Sequence, residues 1–128
     1  MIKKFTFSLI LCLFAYSSSS QKFIPEIGLT TLNGESIKSV EAINQEGFTI
    51  ISFWATWCIP CINELDAINE VISEWNKKED ITVLAISTDD SRSKKRVRPL
   101  INGKNWIFDI ISDTNQEFKR AMGVVGIP

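Results

Sequence analysis

The feature that most constrains this chain is a Cys-x-x-Cys pair, Cys58 and Cys61, placed between an apolar run and a helical pattern. Residues 48–54 form the apolar run, which predicts a strand buried on both faces, as in a parallel sheet. Beyond the pair, apolar residues recur every three or four positions, which predicts a helix with one face turned to a core. The members of this stripe are Cys61, Leu65, Ile68, Ile72 and Trp75. The pattern therefore predicts a strand, a tight turn with two thiols and a helix.

Cys58 lies where the predicted helix begins, and this position favours redox chemistry. The first N–H groups of a helix lack partners and carry the positive end of its dipole, so the thiolate form of Cys58 is expected to be favoured. Pro60 suits the first turn because its missing N–H costs nothing there. Three residues after Cys58, Cys61 returns to the same face, where a disulfide can close. Because Cys61 heads the buried stripe, we expect Cys58 to be the exposed nucleophile and Cys61 the buried resolving thiol.

Composition is consistent with one small domain that does not bind nucleic acid. A chain of 128 residues with 45% hydrophobic content can bury a single core. Its 14 basic and 15 acidic residues exclude a strongly basic nucleic-acid binder. The sequence contains no histidine, which removes the usual general base and the commonest zinc and copper ligand. Any proton transfer must therefore use a carboxylate, a thiol or water.

The N-terminal residues have the pattern of a signal peptide. Lys3 and Lys4 precede an apolar run at residues 5–16 and then a serine-rich stretch. The run is shorter than the roughly 20 residues that a membrane-spanning helix needs, so an uncleaved anchor is the weaker alternative. We predict that residues 1–20 are a signal peptide and that Cys12 is removed with it. Contact with a membrane is expected only through this segment, if it is not cleaved.

The rest of the chain alternates predicted strands and helices, which is typical of parallel βαβ units. An Asn-Gly turn at residues 32–35 predicts a hairpin that covers the sheet edge. Five basic residues lie between positions 92 and 98; they are interpreted as a solvated helix face, with a docking patch for an acidic partner as the alternative. Further strands are predicted at 81–86 and 106–111, and further helices at 40–45, 91–98 and 115–122.

The residues around the dithiol resemble the thioredoxin superfamily, and in particular its exported TlpA/ResA-like branch. The resemblance rests on residues 53–61 with Glu64, and it extends to residues 126–128, Gly-Ile-Pro, which are similar to the segment that carries the family's cis-proline. Two departures stand out. Asp66 replaces a proline that is common in that branch, and Ile59-Pro60 replaces the usual Gly-Pro or Glu-Pro, so the family's redox potential is not transferred to this chain.

The resemblance implies an α/β fold, a thioredoxin-like three-layer α/β/α sandwich with an N-terminal β-hairpin, over residues 21–128. In the family, the segment corresponding to residues 126–128 is followed by an antiparallel strand pair and a final helix. The first of those strands pairs with the strand that carries the dithiol. We therefore expect that the C-terminal strands and helix are missing from this chain, which would leave residues 48–54 as an apolar edge.

The resemblance also implies an exported thiol-disulfide oxidoreductase, more specifically a reductant of periplasmic protein disulfides with a candidate role in cytochrome c maturation. Its expected partners are protein thiols and disulfides and an upstream electron-donor thiol protein, without any cofactor. Cys58 and Cys61 would form the redox-active disulfide, and Glu64 would be an active-site acid. The implied active-site loop and substrate-binding residues are Trp57, Ile59, Pro60, Ile127 and Pro128.

Other functions for the dithiol are less favoured. A structural disulfide is one, but a four-residue loop restrains little chain entropy in the unfolded state. A metal-binding module for copper or zinc is another. Zinc would require two more ligands, which only carboxylates or a partner could supply. A peroxidase is not favoured either, because such sites need their own cysteine environment, which the sequence does not provide.

Overall fold

The computed structural model describes residues 23–128, so the predicted signal peptide and Cys12 lie outside the described residues. The described part has five strands, three α-helices and one short 3₁₀ helix. The strands are β1 (Gly28–Thr31), β2 (Ser36–Lys38), β3 (Phe48–Trp54), β4 (Ile81–Ser87) and β5 (Asp109–Ser112). The helices are α1 (Ile59–Trp75), the 3₁₀ helix (Lys94–Arg96), α2 (Val97–Asn102) and α3 (Glu117–Ala121).

The strands form one sheet in the order β2-β1-β5-β4-β3. Strands β3, β4 and β5 are parallel, as the alternation of strands and helices predicts, whereas β1 is antiparallel to both β2 and β5. The predicted hairpin is confirmed, and β2 lies at the sheet edge. Trp54 is in register with Ser87, and Ser87 is in register with Ser112. The carboxyl ends of the three parallel strands therefore lie together at one edge of the sheet.

Helices cover both faces of the sheet, so the predicted three-layer architecture is confirmed. Alternate residues of β4 point to opposite faces. On one face Ala85 packs in a buried cluster with residues of α1 and α2, including Leu65 and Val97. On the other face Leu84 and Ile86 pack in a second cluster, which includes Phe118 of α3. None of the helices in residues 23–128 is long and apolar enough to cross a membrane.

Two apolar segments are less buried than the sequence predicts. β3 was expected to be buried on both faces, but Phe48 is 65% exposed and only Ser52 and Trp54 of this strand are buried. The reason is that β3 ends the sheet in the described part of the chain, where β4 is its partner. In α1 the predicted stripe is buried at Ile72 but not at Trp75, which is exposed where the helix ends.

The helix predicted at residues 40–45 is wrong, because side chains there bond to the backbone instead. The Asn44 Oδ1 atom accepts the N–H groups of Glu46 and Gly47, and the Gln45 amide donates to the carbonyls of Val40 and Ile43. Such local bonds offer the backbone an alternative to helical hydrogen bonding. The segment is therefore a series of turns that leads into β3.

The other element boundaries shift for similar reasons. The helix predicted at 91–98 begins later, because the Asp90 carboxylate accepts the backbone N–H groups of Arg92 and Ser93. β5 begins at residue 109 instead of 106, because the side chain of Trp106 turns toward α1. The third helix is shorter than predicted and spans residues 117–121. The backbone N–H groups of Phe118 and Lys119 in its first turn donate to the Asp113 carboxylate.

Candidate active site

The dithiol lies in a tight turn between β3 and α1, at the sheet edge where the parallel strands end. The Cys58 N–H donates to the Ala55 carbonyl (3.0 Å), and the Cys58 carbonyl accepts the first helical bond from Ile62 (3.1 Å). Cys58 is thus the residue that caps the N-terminus of the 17-residue helix α1, with Pro60 in its first turn. The predicted strand, turn and helix around the two cysteines are confirmed.

Cys58 and Cys61 form a disulfide, with their Cα atoms 5.3 Å apart. Cys61 is fully buried and Cys58 is 5% exposed, and both belong to the cluster that includes Leu65 and Val97. Cys61 is the more buried of the two, as predicted. The expectation that Cys58 is exposed is wrong for the disulfide form, because its side chain packs into this cluster while its neighbour Trp57 turns outward.

Apolar side chains next to the disulfide are exposed to solvent. Trp57 is 59% exposed and Ile59 is 62% exposed, and Pro60 is exposed as well. Ile127 packs against the cluster that contains both cysteines, and the Ile127–Pro128 peptide bond is cis, as the resemblance implies. Trp57, Ile59 and Pro60 thus flank the two cysteines at the surface, and Ile127 contacts their cluster from the C-terminal segment. A role in substrate binding stays a prediction for each of them.

Glu64 lies on α1, one turn beyond Cys61, and its side chain is exposed. It makes no side-chain hydrogen bond or ion pair with any other residue in the range 23–128. Its predicted role as an active-site acid stays a prediction.

Asp89 is a site residue that the sequence reasoning missed. It is fully buried just beyond β4, and its carboxylate accepts the Thr56 N–H (2.9 Å), the Thr56 hydroxyl (2.6 Å) and the Ser87 hydroxyl (2.9 Å). Thr56 is two residues before Cys58, so Asp89 fixes the turn that leads to the dithiol. The sequence did contain an indication that an aspartate lies near the dithiol. Two aspartates follow the second buried strand, and neighbouring parallel strands end at the same edge of a sheet.

A second polar cluster joins α1 to the segment before β5. Asp66 accepts hydrogen bonds from Lys104 Nζ (2.6 Å) and from the indole N–H of Trp106 (2.8 Å). The hydrogen bond from Lys104 lowers the pKa of Asp66 below its usual value; burial opposes this shift and the bond from Trp106 adds to it. Trp106 in turn packs edge-on against Trp54, with ring centroids 5.3 Å apart. Trp54 is fully buried and belongs to the same cluster as the two cysteines.

The reactive groups at this site are the two cysteine sulfur atoms, which suit disulfide exchange. Across residues 23–128, no group of three or more His, Cys, Asp or Glu side chains is arranged to hold a metal ion. The thiols of Cys58 and Cys61 alone would supply two ligands, whereas structural zinc sites use four. Interconversion of a disulfide and a dithiol needs no further group, because the two sulfur atoms themselves carry the electrons.

Comparison with known proteins places the chain in a family. A model described as the AhpC/TSA family matches residues 21–128. The chain belongs to this family. Among its relatives, "Thioredoxin-like protein YneN" of Bacillus subtilis (strain 168) is 32% identical over 90 residues, which cover 70% of this chain and 51% of YneN. "Thiol-disulfide oxidoreductase ResA" of Bacillus thuringiensis subsp. konkukian (strain 97-27) is 25% identical over 107 residues, covering 84% of this chain and 59% of ResA. The chain thus spans between half and three fifths of the length of these relatives.

Solved structures support the same fold for this AhpC/TSA family member. A thioredoxin-like protein from Porphyromonas gingivalis, solved in solution, superposes with a TM-score of 0.71 and 36% sequence identity. The superposition covers 82% of this chain and 69% of that protein. The thioredoxin-like fold and the resemblance to the ResA group that the sequence predicts are therefore confirmed.

Proposed function

We propose that this protein is an exported thiol-disulfide oxidoreductase that reduces disulfides in other exported proteins. The observation that carries the proposal is the Cys58–Cys61 disulfide at the N-terminus of α1, next to exposed apolar side chains. The relative ResA is named a thiol-disulfide oxidoreductase, which supports the same reaction class. The proposed partners are protein disulfides, with apocytochrome c as one candidate class, and a thiol protein that returns electrons.

In the proposed reaction, the Cys58 thiolate attacks one sulfur of the partner's disulfide and forms a mixed disulfide, releasing the other sulfur as a thiolate. The Cys61 thiolate then attacks Cys58 in the mixed disulfide and releases the second partner thiol. The partner gains two electrons and two protons, and Cys58 and Cys61 become the disulfide seen in the structure. The helix N-terminus favours the thiolate of Cys58, and the short loop between the cysteines makes the second step intramolecular.

Serine variants of the two cysteines test these roles. Cys58→Ser should lose disulfide exchange, whereas Cys61→Ser should still attack a model disulfide and then remain as a mixed disulfide on Cys58. The physical reason is that Cys61 is fully buried, whereas Cys58 keeps 5% exposure at the N-terminus of α1. Mass spectrometry after mixing each variant with a model disulfide measures the outcome. Adducts on Cys61 in the Cys58→Ser variant would reverse the assignment.

We further propose that Glu64 transfers protons during exchange. It is exposed to water and lies three residues after Cys61, on the same side of α1. Glu64→Gln should leave the fold intact but change the pH dependence of thiol alkylation in the reduced protein. Glu70→Gln, an exposed position farther along the same helix, is the matched control and should behave like the wild type. If the profiles of both variants match the wild type, Glu64 is an ordinary surface carboxylate.

Export is proposed from the N-terminal sequence pattern, with a periplasmic or cell-envelope location. Lys3 and Lys4 followed by an apolar run and serines have the pattern of a signal peptide. The protein would be released after cleavage, or held by this segment if cleavage fails. Fractionation of the native host, with N-terminal sequencing of the purified protein, tests this. An intact Met1 on protein recovered from the cytoplasm would contradict it.

A further inference from the structure

The basic residues between positions 92 and 98 lie in a chain whose formal net charge is −1. They follow β4 and are exposed: Arg92 lies in the turn before the 3₁₀ helix, and the others lie on that helix and at the start of α2. Their side chains divide between two grooves. Arg92 and Arg96 line a groove whose other wall includes Trp57. The second groove, which also includes residues of the β1 hairpin, is lined by Lys94, Lys95 and Arg98.

The groove between Trp57 and Arg96, which we call the arginine groove, is lined by the residue that precedes Cys58. It has a volume of ≈ 410 Å³, and Thr88 and Gln116 contribute to its lining. Trp57 immediately precedes Cys58, and adjacent Cα atoms are only about 3.8 Å apart. A segment of a partner protein that approaches Cys58 along Trp57 therefore comes within reach of this groove.

Arg96 supplies the unpaired charge of the arginine groove. Asp90 also lines it, but Arg92 donates two hydrogen bonds to the Asp90 carboxylate, from Nε (3.1 Å) and Nη2 (3.0 Å). These bonds lower the pKa of Asp90, so Asp90 and Arg92 form an ion pair without net charge. Asp89 lies behind the groove, buried and bonded to Thr56 and Ser87. Arg96 makes no ion pair with any residue that the structure describes.

We propose that the arginine groove binds an acidic side chain of the protein whose disulfide Cys58 attacks. This inference rests on the proposed function and specifies its substrate class. A guanidinium group matches a carboxylate through two parallel hydrogen bonds, and the exposed ring of Trp57 offers an apolar surface for the residues next to it. Because the basic side chains face two separate grooves, they do not form the continuous surface that a polyanion would need. We therefore favour a short acidic segment over a nucleic acid or an anionic membrane.

Three peptides test the proposal. Each contains the same internal disulfide, and they differ only in the residues that flank one of its cysteines: glutamates in the first, glutamines in the second and lysines in the third. The reduced protein gives two electrons and two protons to the peptide and becomes the Cys58–Cys61 disulfide. Each rate is divided by the rate of the same peptide with dithiothreitol, which removes the intrinsic effect of the flanking charges. At low salt, the glutamate peptide should react about fivefold faster than the glutamine peptide, and the lysine peptide should react more slowly. High salt should reduce these differences, because it screens exposed charges.

Substitutions in the two grooves separate a specific site from general attraction. Arg96→Glu should remove or reverse the preference for the glutamate peptide, and the milder Arg96→Gln should weaken it. Lys95→Glu changes the net charge equally but lines the second groove, so it should keep the preference. Equal rates for all three peptides with the wild type would overturn the inference and leave the proposed function standing. A lack of reaction with any peptide would contradict the proposed function itself.

A basic surface for polyanions is the remaining alternative. In that case Arg96→Glu and Lys95→Glu would lose the preference to the same extent, and both would weaken binding to phosphatidylglycerol vesicles. Either result would overturn the arginine groove as a specific site. Retention of the preference in Lys95→Glu together with its loss in Arg96→Glu would support the groove.

Discussion

Asp89 and Asp113 are both buried carboxylates that accept backbone N–H groups, yet only Asp89 holds the turn before the dithiol. Asp113 bonds to the start of α3, away from Thr56 and Cys58. Comparing substitutions at Asp89 and Asp113 therefore distinguishes a general loss of stability from a change at the dithiol. At Asp89, three hydrogen bonds converge on one side chain, so its removal leaves several polar groups of the turn without a partner.

We predict that Asp89→Asn slows alkylation of Cys58 in the reduced protein and that Asp113→Asn does not. Each substitution should lower the free energy of unfolding by about 1–3 kcal/mol, because a buried hydrogen-bond partner is lost. Only Asp89→Asn should also change the orientation of the turn and hence the reactivity of the thiol. Alkylation rates across pH, with urea unfolding of the same samples, measure the two effects. Equal alkylation rates in both variants would show that Asp89 acts on stability alone.

At the scale of elements, the Asp66 cluster ties α1 to the segment that leads into β5. Asp66 bonds to Lys104 and Trp106, which are more than 35 residues away along the chain. The Asp66 and Lys104 side chains are 37% and 29% exposed, so water screens their attraction in part. The two hydrogen bonds also explain why β5 begins after Trp106, since this ring is held against α1 and Trp54.

Acid titration should reveal this cluster. The pKa of Asp66 is lowered in the folded state, chiefly by Lys104. The ionised carboxylate therefore stabilises the fold at a pH above 3.8, its pKa in the unfolded chain. This stabilisation is lost as the pH falls through the lower pKa of the folded protein. Asp66→Asn should lower the free energy of unfolding by about 1 kcal/mol at neutral pH and flatten the decline in acid below about pH 4. Urea unfolding over a pH series checks this, with Glu70→Gln as the control. An unchanged acid dependence in Asp66→Asn would contradict the prediction.

The sequence predicted elements well where an apolar pattern alone decides the structure. The long helix after the dithiol, β4 and the hairpin at the Asn-Gly turn are confirmed because periodicity and turn chemistry determine them locally. The predictions were wrong where side chains bond to the backbone, as Asn44 does before β3 and Asp90 does after β4. Asp89 was missed because Thr56, which supplies two of its three hydrogen bonds, becomes its neighbour only when β3 and β4 pair. Long-range contacts of this kind leave no periodic pattern in the sequence.

At the scale of the whole molecule, the redox state of the dithiol is coupled to the stability of the fold. Both cysteines belong to the same buried cluster as Leu65 and Val97, so closing or opening the disulfide acts on the core that joins α1 and α2. The disulfide and dithiol forms differ in their free energy of folding. A thermodynamic cycle equates this difference with the difference between the reduction potentials of the Cys58–Cys61 pair in the folded and in the unfolded protein. For two electrons, about 30 mV corresponds to about 1.4 kcal/mol. A strong oxidant is one whose reduced form is the more stable, and a reductant shows the opposite order.

Because we propose a reductant, we predict that the disulfide form unfolds at a higher temperature than the dithiol form. Each kcal/mol of difference should shift the midpoint by about 4–8 °C in a domain of this size. Calorimetry with and without a reducing agent measures the order, and the double variant Cys58→Ser, Cys61→Ser in the same buffers controls for effects of the agent. Redox equilibration with glutathione gives the potential independently, with about −270 mV expected for a thioredoxin-like reductant and about −120 mV for an oxidant. A dithiol form that unfolds at the higher temperature, together with the less negative potential, would mean that electrons flow from the partner to Cys58 and Cys61, against the proposed direction.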